Sequence, residues 1–327
     1  MKSAMLEAEL RRAIDLYFGE PLVRQAVRRA LARPGFALHP EGPGRAGALT
    51  LEVYRAISGP PSPAAIQAAV AVELHMQAAY LFDSVADRDK SPSDDLSPAE
   101  ELALAIGLLS AGQSAVGEAA FMAGRSGSGL RSLQQWYRDC IGSVCAGQFL
   151  DAYLEKRDAV TAEEALKMTS LKAGSLGRLA AGLGAGMATE DQEIVNRFGE
   201  FGFHLFTYSQ LIDDLRDACP APDLPSDLIQ GKKTLPVVFF HNSLAEERSK
   251  VARGIISQET QARITADISG VFESSGARIF GAIVAEAFLN RAKNNLADIK
   301  SRLGTVGNLE NIVGSFEISP QEVGLAA

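Results

Sequence analysis

Segments with the composition of α-helices occupy nearly the whole chain, and short breaks rich in Pro and Gly separate them. Ala, Leu, Glu and Arg dominate these segments, whereas alternating runs of β-branched residues, the usual signal of strands, are scarce. The clearest breaks are RPGFALHPEGPGRAG (33–47), GPPSP (59–63) and CPAPDLPSDLIQGK (219–232). Helices are predicted over residues 3–32, 64–89, 98–123, 129–155, 161–187, 190–218, 233–243, 246–255, 258–274 and 276–303. Because no break reads as an interdomain linker, we expect a single all-α domain over residues 1–327.

Two clusters of acidic residues lie at the C-terminal ends of long apolar helical segments. Asp83 and Asp87 belong to LFDSVAD, and Asp213, Asp214 and Asp217 belong to DDLRD. A spacing of four residues places two carboxylates on one helix face, where they repel each other unless a cation relieves the charge. Two such helices facing each other across an apolar cavity would form an oxygen-lined site for Mg²⁺ and a diphosphate at the cavity rim.

The composition is that of a globular protein and excludes some classes of function. Hydrophobic residues make up 46% and charged residues 22% of the chain, and the formal net charge of -8 argues against nucleic acid as a partner. The cysteines, Cys140, Cys145 and Cys219, fit no zinc spacing and indicate a reducing compartment. The N-terminal segment lacks the apolar core of a signal peptide, and no run of about 18 apolar residues predicts a transmembrane helix. We therefore expect a cytoplasmic protein.

The order of motifs around the second acidic cluster is specific. QLIDDLRD (210–217) is followed by DLIQGKKTLP (227–236), a combination that resembles the trans-isoprenyl diphosphate synthase, or polyprenyl synthetase, family. ELHMQAAYLFDSVAD (73–87) is similar to the family's first acidic motif, and KAGSLGRLAAGLGAG (172–186) to its central Lys-Thr segment. The resemblance runs from about residue 40 to residue 240. It implies the isoprenoid synthase fold, a helical bundle around a deep central apolar cavity.

The resemblance also implies a role for individual residues. In the family, Mg²⁺ and basic side chains hold the diphosphate of an allylic isoprenyl substrate. The corresponding residues are Asp83, Asp87, Asp213, Asp214 and Asp217 for the metal, Lys172, Gln210 and Lys232 for catalysis at the diphosphate, and Arg45 for substrate binding.

An apolar tube below the first cluster is expected to hold the isoprenoid tail. Ala78 and Ala79 lie five and four residues before Asp83, and their small side chains would leave the tube open. His75 and Met76, about one turn lower, would form its floor. The alternative interpretation of this histidine is a packed, hydrogen-bonded helix residue.

Several family residues are absent from this chain. Ser84 replaces the middle Asp of the first motif, and Ala173 replaces the Thr after the central Lys. The family's G-G-K-R segment keeps only Arg45, and the paired Arg after the first motif is missing, because residues 88–98 offer only Arg88 and Lys90. In the family, the missing basic residues mostly hold isopentenyl diphosphate, the condensing partner.

Three functions stay open at the level of sequence. The first is condensation of an allylic diphosphate with isopentenyl diphosphate. The second is a terpene-cyclase-like lyase reaction or prenyl transfer to another acceptor, which the missing basic residues favour. The third is a noncatalytic regulatory subunit of a prenyl synthase. The resemblance alone predicts a homodimer.

Overall fold

The chain is all-α throughout the residues that its structure describes. The structure is a computed structural model, and it describes residues 4–39, 44–87, 96–218, 227–252 and 268–317. The helices in these ranges are α1 (Ala4–Tyr17), α2 (Pro21–Leu31), α3 (Arg45–Ser58), α4 (Pro63–Asp87), α5 (Pro98–Met122), α6 (Gly127–Leu154), α7 (Ala162–Thr169), α8 (Ser175–Ala188), α9 (Gln192–Asp217), α10 (Asp227–Gln230), α11 (Leu235–Ala252), α12 (Ile268–Ser274), α13 (Ala277–Leu303) and α14 (Leu309–Phe316). The predicted fold class, all-α, is confirmed.

The chain divides into two compact units, each assembled from separate stretches. The first contains Met1–Cys140, Leu176–Gly202 and Asn295–Ile312, and the second contains the rest. Helices α6, α9, α13 and α14 each begin in one unit and end in the other. The boundaries 1–327 of a single domain stay a prediction, and so does a cavity at its centre.

In the first unit, small residues allow helices to approach closely. Residues 68–78 of α4 are all buried. A Cβ atom on Gly112 of α5 would lie 2.4 Å from the His75 ring, and one on Gly184 of α8 would lie 2.3 Å from the Thr50 carbonyl oxygen. Thr50 Oγ1 also donates a hydrogen bond of 3.0 Å to the carbonyl oxygen of Ala180. Glycine and alanine therefore serve helix packing in the glycine-rich segment of α8.

Helix boundaries differ from the prediction near the N-terminus and in the centre of the chain. The segment 3–32 is two helices, because Pro21 cannot continue α1 and begins α2, with Glu20 accepting a hydrogen bond from the Leu22 amide at 3.4 Å. Helices α3, α10 and α14 were not predicted. The segment 161–187 is interrupted by a π-helical turn, Ser170–Gly174, between α7 and α8.

In the second unit, an apolar cluster surrounds the end of α9. It joins that end to α10–α13 and fixes the backbone that follows the second acidic cluster. Its buried members are Ala218, Leu228, Val237, Phe240, Phe272 and Ala277.

Helix α5 has an exposed apolar face. Among the described residues it is the one helix long and apolar enough to cross a membrane by length and composition, although it also packs against α4 inside the first unit. Ile106 is 62% exposed and Phe121 85% exposed. Contiguous exposed apolar surface of this kind is often an interaction surface in proteins.

Candidate active site

The second acidic cluster combines a buried carboxyl with exposed ones. Asp214 is 5% exposed, and Gln210 Nε2 donates to its Oδ1 at 2.9 Å, whereas Asp213 and Asp217 are exposed. Burial raises the pKa of Asp214 to about 8, against the opposing hydrogen bond from Gln210. Although Asp217 is exposed, partial desolvation of its carboxyl group raises the pKa of this residue as well, and the charge of Arg216 opposes the shift. The sequence thus places charge at the surface and one protonatable carboxyl group in the interior.

Asp214 is buried because of its register in α9. Leu211, Ile212 and Leu215 are buried neighbours, so the apolar stripe of the helix includes the position between them. Asp214 Oδ2 is buried, with no hydrogen-bond partner among the described residues. A buried, incompletely satisfied carboxyl oxygen is costly in isolation. Its chemistry fits a divalent cation, for which carboxylate oxygen is the preferred ligand.

The end of α9 is held by a residue from beyond the family motifs. Arg278 on α13 donates through Nη1 to the Leu215 carbonyl oxygen at 3.2 Å and pairs with Glu273 at 2.6 Å. A cation near the C-terminus of a helix can donate hydrogen bonds to the last carbonyl groups, and it interacts favourably with the helix dipole. A Cβ on Gly281 would lie 2.7 Å from Leu215, so α13 lies directly on the acidic turn. The sequence prediction missed Arg278, since residues after 240 fitted only as additional helices.

Lys172 lies in the π-helical turn Ser170–Gly174 and has an acidic partner. Its Nζ is 2.7 Å from Asp151 Oδ2, and the two side chains are only 20% and 11% exposed. Gly147, one turn before Asp151 on α6, lets the turn approach, because a Cβ there would lie 2.3 Å from the Lys172 amide nitrogen. A π turn within a helical segment is frequently found at functional sites.

Lys232 has a similar environment. Its Nζ is 3.6 Å from Glu155 Oε1, and its side chain is 13% exposed. The tight loop before α11 positions it: Gly231 adopts φ 76°, a left-handed conformation that favours glycine, and the Lys232 amide donates to the Asp227 carbonyl oxygen at 3.0 Å.

Two acids at the C-terminal end of α6 therefore contact the two predicted lysines. Asp151 lies in the last turn of α6 and Glu155 directly follows the last residue of that helix, Leu154, and each acid pairs with one lysine. Sequence reasoning missed both acids. Their i, i+4 spacing in the predicted helix 129–155 was the available signal, and it resembled an ordinary solvated helix face.

The first acidic cluster lies in the first unit, at the end of α4. Asp83 and Ser84 are half-buried. Asp87 is the last residue of α4, and its side chain lies outside the described part of the chain, as do Arg88 and Lys90. Their roles, and that of Asp83, stay predictions.

Of the substrate residues predicted in the first unit, His75 is enclosed by protein. It is 1% exposed, its Nδ1 lies 2.6 Å from the Ala71 carbonyl oxygen, and its Nε2 lies 2.9 Å from Tyr137 Oη. A neutral ring that donates from Nδ1 and accepts at Nε2 satisfies both contacts, and burial lowers the pKa of His75 to about 4. Ala78 is buried and Ala79 half-buried. Contact of these residues with an isoprenoid tail stays a prediction.

Arg45 begins α3 and is exposed. Gly44, which precedes it, has φ 47°. Its predicted contact with substrate is not tested by this arrangement.

The carboxylates that the structure describes do not by themselves form a complete metal site. Within the described ranges, no three side chains of His, Cys, Asp or Glu converge as a group that could hold a metal ion. A cation bound to one cluster would need further oxygen ligands, which a diphosphate or water can supply.

Comparison with known proteins identifies the family to which these motifs belong. A sequence profile of the family named polyprenyl synthetase matches residues 37–269. The geranylgeranyl pyrophosphate synthase of Geoglobus acetivorans is 30% identical over 172 residues, covering 51% of this chain and 52% of that protein. The chain therefore spans about half the length of this curated relative.

Two longer matches extend the similarity over most of the chain. The short chain isoprenyl diphosphate synthase of Methanothermobacter thermautotrophicus is 26% identical over 303 residues, covering 90% of this chain and 89% of that protein. The crystal structure of heptaprenyl diphosphate synthase from Staphylococcus aureus has a similar fold, with a TM-score of 0.74 at 19% identity, covering 97% and 98% of the two chains. With the family profile matching well over half of its length, this chain belongs to the polyprenyl synthetase family.

Proposed function

We propose that this protein is a Mg²⁺-dependent prenyltransferase that acts on an allylic isoprenyl diphosphate. The observation that carries the proposal is the environment of Asp214: a buried carboxyl whose Oδ2 has no hydrogen-bond partner among the described residues, influenced by the charges of Lys172 and Asp227. Lys172 is held in place by Asp151 in the last turn of α6, and Lys232 by Glu155, which directly follows that helix. An anionic ligand bridging a cation and these lysines would find its partners already oriented.

The reaction would begin with heterolytic cleavage of the allylic C–O bond, in which the electron pair leaves with the diphosphate. Bound Mg²⁺, held by Asp213, Asp214 and Asp217, would stabilise the charge of the leaving group. Lys172 and Lys232 would neutralise its oxygens directly. The Gln210 side-chain nitrogen donates to Asp214. The Gln210 side-chain oxygen, which is the negative end of the amide dipole, would then be available to stabilise the carbocation.

The second substrate distinguishes two versions of this function. In condensation, the double bond of isopentenyl diphosphate forms a new C–C bond with the cation and the adduct loses a proton. In the other version, the cation reacts with another acceptor, cyclises or is trapped by water. The loss of basic residues around Arg45 and after Asp87 favours an acceptor without a second diphosphate.

We also propose that the protein is a cytoplasmic homodimer. Helix α5 and the first half of α6, both in the first unit, border a groove of about 630 Å³, and exposed apolar side chains lie on α5 beside it. A second copy of the chain is the occupant that matches an apolar, largely uncharged helix face. The groove is lined by Ser110, Gln113, Ser114, Val116, Gly117, Ala120, Leu130, Leu133, Gln134, Tyr137 and Arg138.

The proposal is tested by incubating the purified protein with Mg²⁺ and allylic diphosphates of increasing length, with and without isopentenyl diphosphate. Longer diphosphates formed only with isopentenyl diphosphate support condensation, whereas hydrocarbon or alcohol with inorganic diphosphate supports the second version. Asp213→Ala should lower either activity at least about 100-fold, and Asp298→Ala, an exposed acid on α13, should not. No turnover with any substrate would support the regulatory-subunit alternative.

A further inference from the structure

Ser84, which stands where the family motif has its middle Asp, faces a buried acid on the neighbouring helix. Its Oγ lies 3.5 Å from Oε2 of Glu101 on α5, at the outer limit of a hydrogen bond. The Glu101 side chain is 7% exposed. A carboxylate is thus present beside position 84, but α5 supplies it instead of α4.

The other oxygen of Glu101 is occupied by a cation. Arg33 Nη1 donates to Glu101 Oε1 at 2.5 Å, and the Arg33 side chain is 16% exposed. The turn after α2 brings Arg33 here, because the Ala37 amide donates to Gln77 Oε1 on α4 at 2.9 Å. A largely buried carboxylate with a cation partner is stable there, whereas one without a partner is costly.

The start of α5 is itself fixed in position. Ser97 and Glu100 form a capping box, with Ser97 accepting from the Glu100 amide and Glu100 accepting from the Ser97 amide, and Pro98 begins the helix. Glu101 lies in this first turn, where the helix dipole favours a negative charge. The backbone from which the Glu101 side chain extends is therefore fixed.

We propose that Ser84 and Glu101 are a matched pair: Glu101, held by Arg33, carries at this position the negative charge that the family motif carries on α4. An Asp at position 84 would place a second carboxylate beside a buried one whose cation is already engaged, and like charges so close are unfavourable. Position 84 is then a positioning residue that ties the end of α4 to α5. If Ser84 has this role, only Asp83 and Asp87 of the first acidic motif bind the metal. This consequence rests on the proposed function.

The pairing is tested by stability measurements that need no substrate. Ser84→Asp should lower the thermal unfolding midpoint by about 4 °C relative to Ser84→Asn, which has the same size without the charge. In a Glu101→Gln background the difference between Asp and Asn at position 84 should fall below about 1 °C. Equal midpoints for the Asp and Asn variants in the otherwise unchanged protein would overturn the proposal. A difference that persists in the Glu101→Gln background would overturn it as well.

A binding measurement tests the consequence separately. Titration with Mg²⁺ and inorganic diphosphate should show no gain in affinity for Ser84→Asp over the unchanged protein. A tightening of tenfold or more would show that residue 84 faces the ligand, and it would refute the pairing. If the protein binds no Mg²⁺–diphosphate in any form, the proposed function fails, while the stability result still decides whether the two residues are matched.

Discussion

At the scale of single residues, the candidate site is held by charge pairs that the family motifs do not include. Lys172 and Asp151 form a contact of 2.7 Å in largely buried surroundings. Such a pair gives little net stability compared with apolar side chains, but removal of one partner leaves a buried charge. The role of the pair is therefore to hold the Lys172 ammonium group in position, and Asp151 is the positioning residue.

Lys172→Met should lower kcat/KM for an allylic diphosphate at least about 100-fold, because a fixed donor to the leaving group is lost. It should also destabilise the fold by about 3 kcal/mol, since Asp151 is left without its cation. Adding Asp151→Asn should restore stability but not activity, as measured by chemical denaturation and product formation.

The matched control is Lys167→Met, since Lys167 is an exposed lysine of α7 in the same part of the chain. It should leave both quantities unchanged. Recovery of activity in the double variant would show that Lys172 acts only through stability.

His75 should make the protein sensitive to acid. Its pKa is about 4 in the folded protein and ordinarily 6.5, so the unfolded chain binds more protons between these values. Stability from the neutral ring is complete above about pH 6.5 and is lost as the pH falls towards 4, by about 3 kcal/mol in total. His75→Gln should flatten this part of the profile of unfolding free energy against pH. An unchanged slope would show that another group causes the acid sensitivity.

At the scale of elements, the π-helical turn at Lys172 depends on one glycine of α6. Gly147→Ala would place its Cβ 2.3 Å from the Lys172 amide nitrogen, a backbone atom that can move only with the turn. We expect a loss of about 1–3 kcal/mol and lower activity, because the lysine is displaced with its turn. Gly142→Ala on the same helix meets nothing within 4 Å and should be neutral or stabilising by up to about 1 kcal/mol. Equal stability of the two variants, measured by denaturation, would contradict the close approach.

The sequence predicted helices where the hydrophobic periodicity and the breaking residues of the segment itself determine the helix. It did not predict local geometry that depends on packing against other helices. The long apolar segments of α4, α5 and α9 were predicted to within a few residues, because periodicity and breaking residues act locally. The π turn could not be predicted, since the approach of Gly147 belongs to a distant segment. The same holds for the contacts of Arg278 with Leu215 and of Glu101 with Arg33, which join segments far apart in the sequence.

At the scale of the whole molecule, the net charge of the protein and the charge of the proposed substrate have the same sign. The formal net charge is -8 and an isoprenyl diphosphate is also an anion. The net charge of the protein therefore repels the proposed substrate at long range. Cations located at the site have to bind it instead. Lys172 and Lys232 are each paired with an acid, so a divalent metal is the natural carrier of the remaining positive charge. Chelation of Mg²⁺ is expected to abolish binding of inorganic diphosphate, as measured by calorimetry.

The exposed apolar face of α5 predicts the oligomeric state of the whole molecule. If a second copy covers this face, Phe121→Glu introduces a charge into a buried interface, where an unpaired charge is strongly unfavourable. We expect the unchanged protein to sediment as a dimer and the variant as a monomer at the same concentration. Leu16→Glu, at a similarly exposed apolar residue of α1, should leave the dimer intact. A monomer in both the unchanged protein and the variant would show that α5 does not bind a second copy, and dimers in both would place the interface elsewhere.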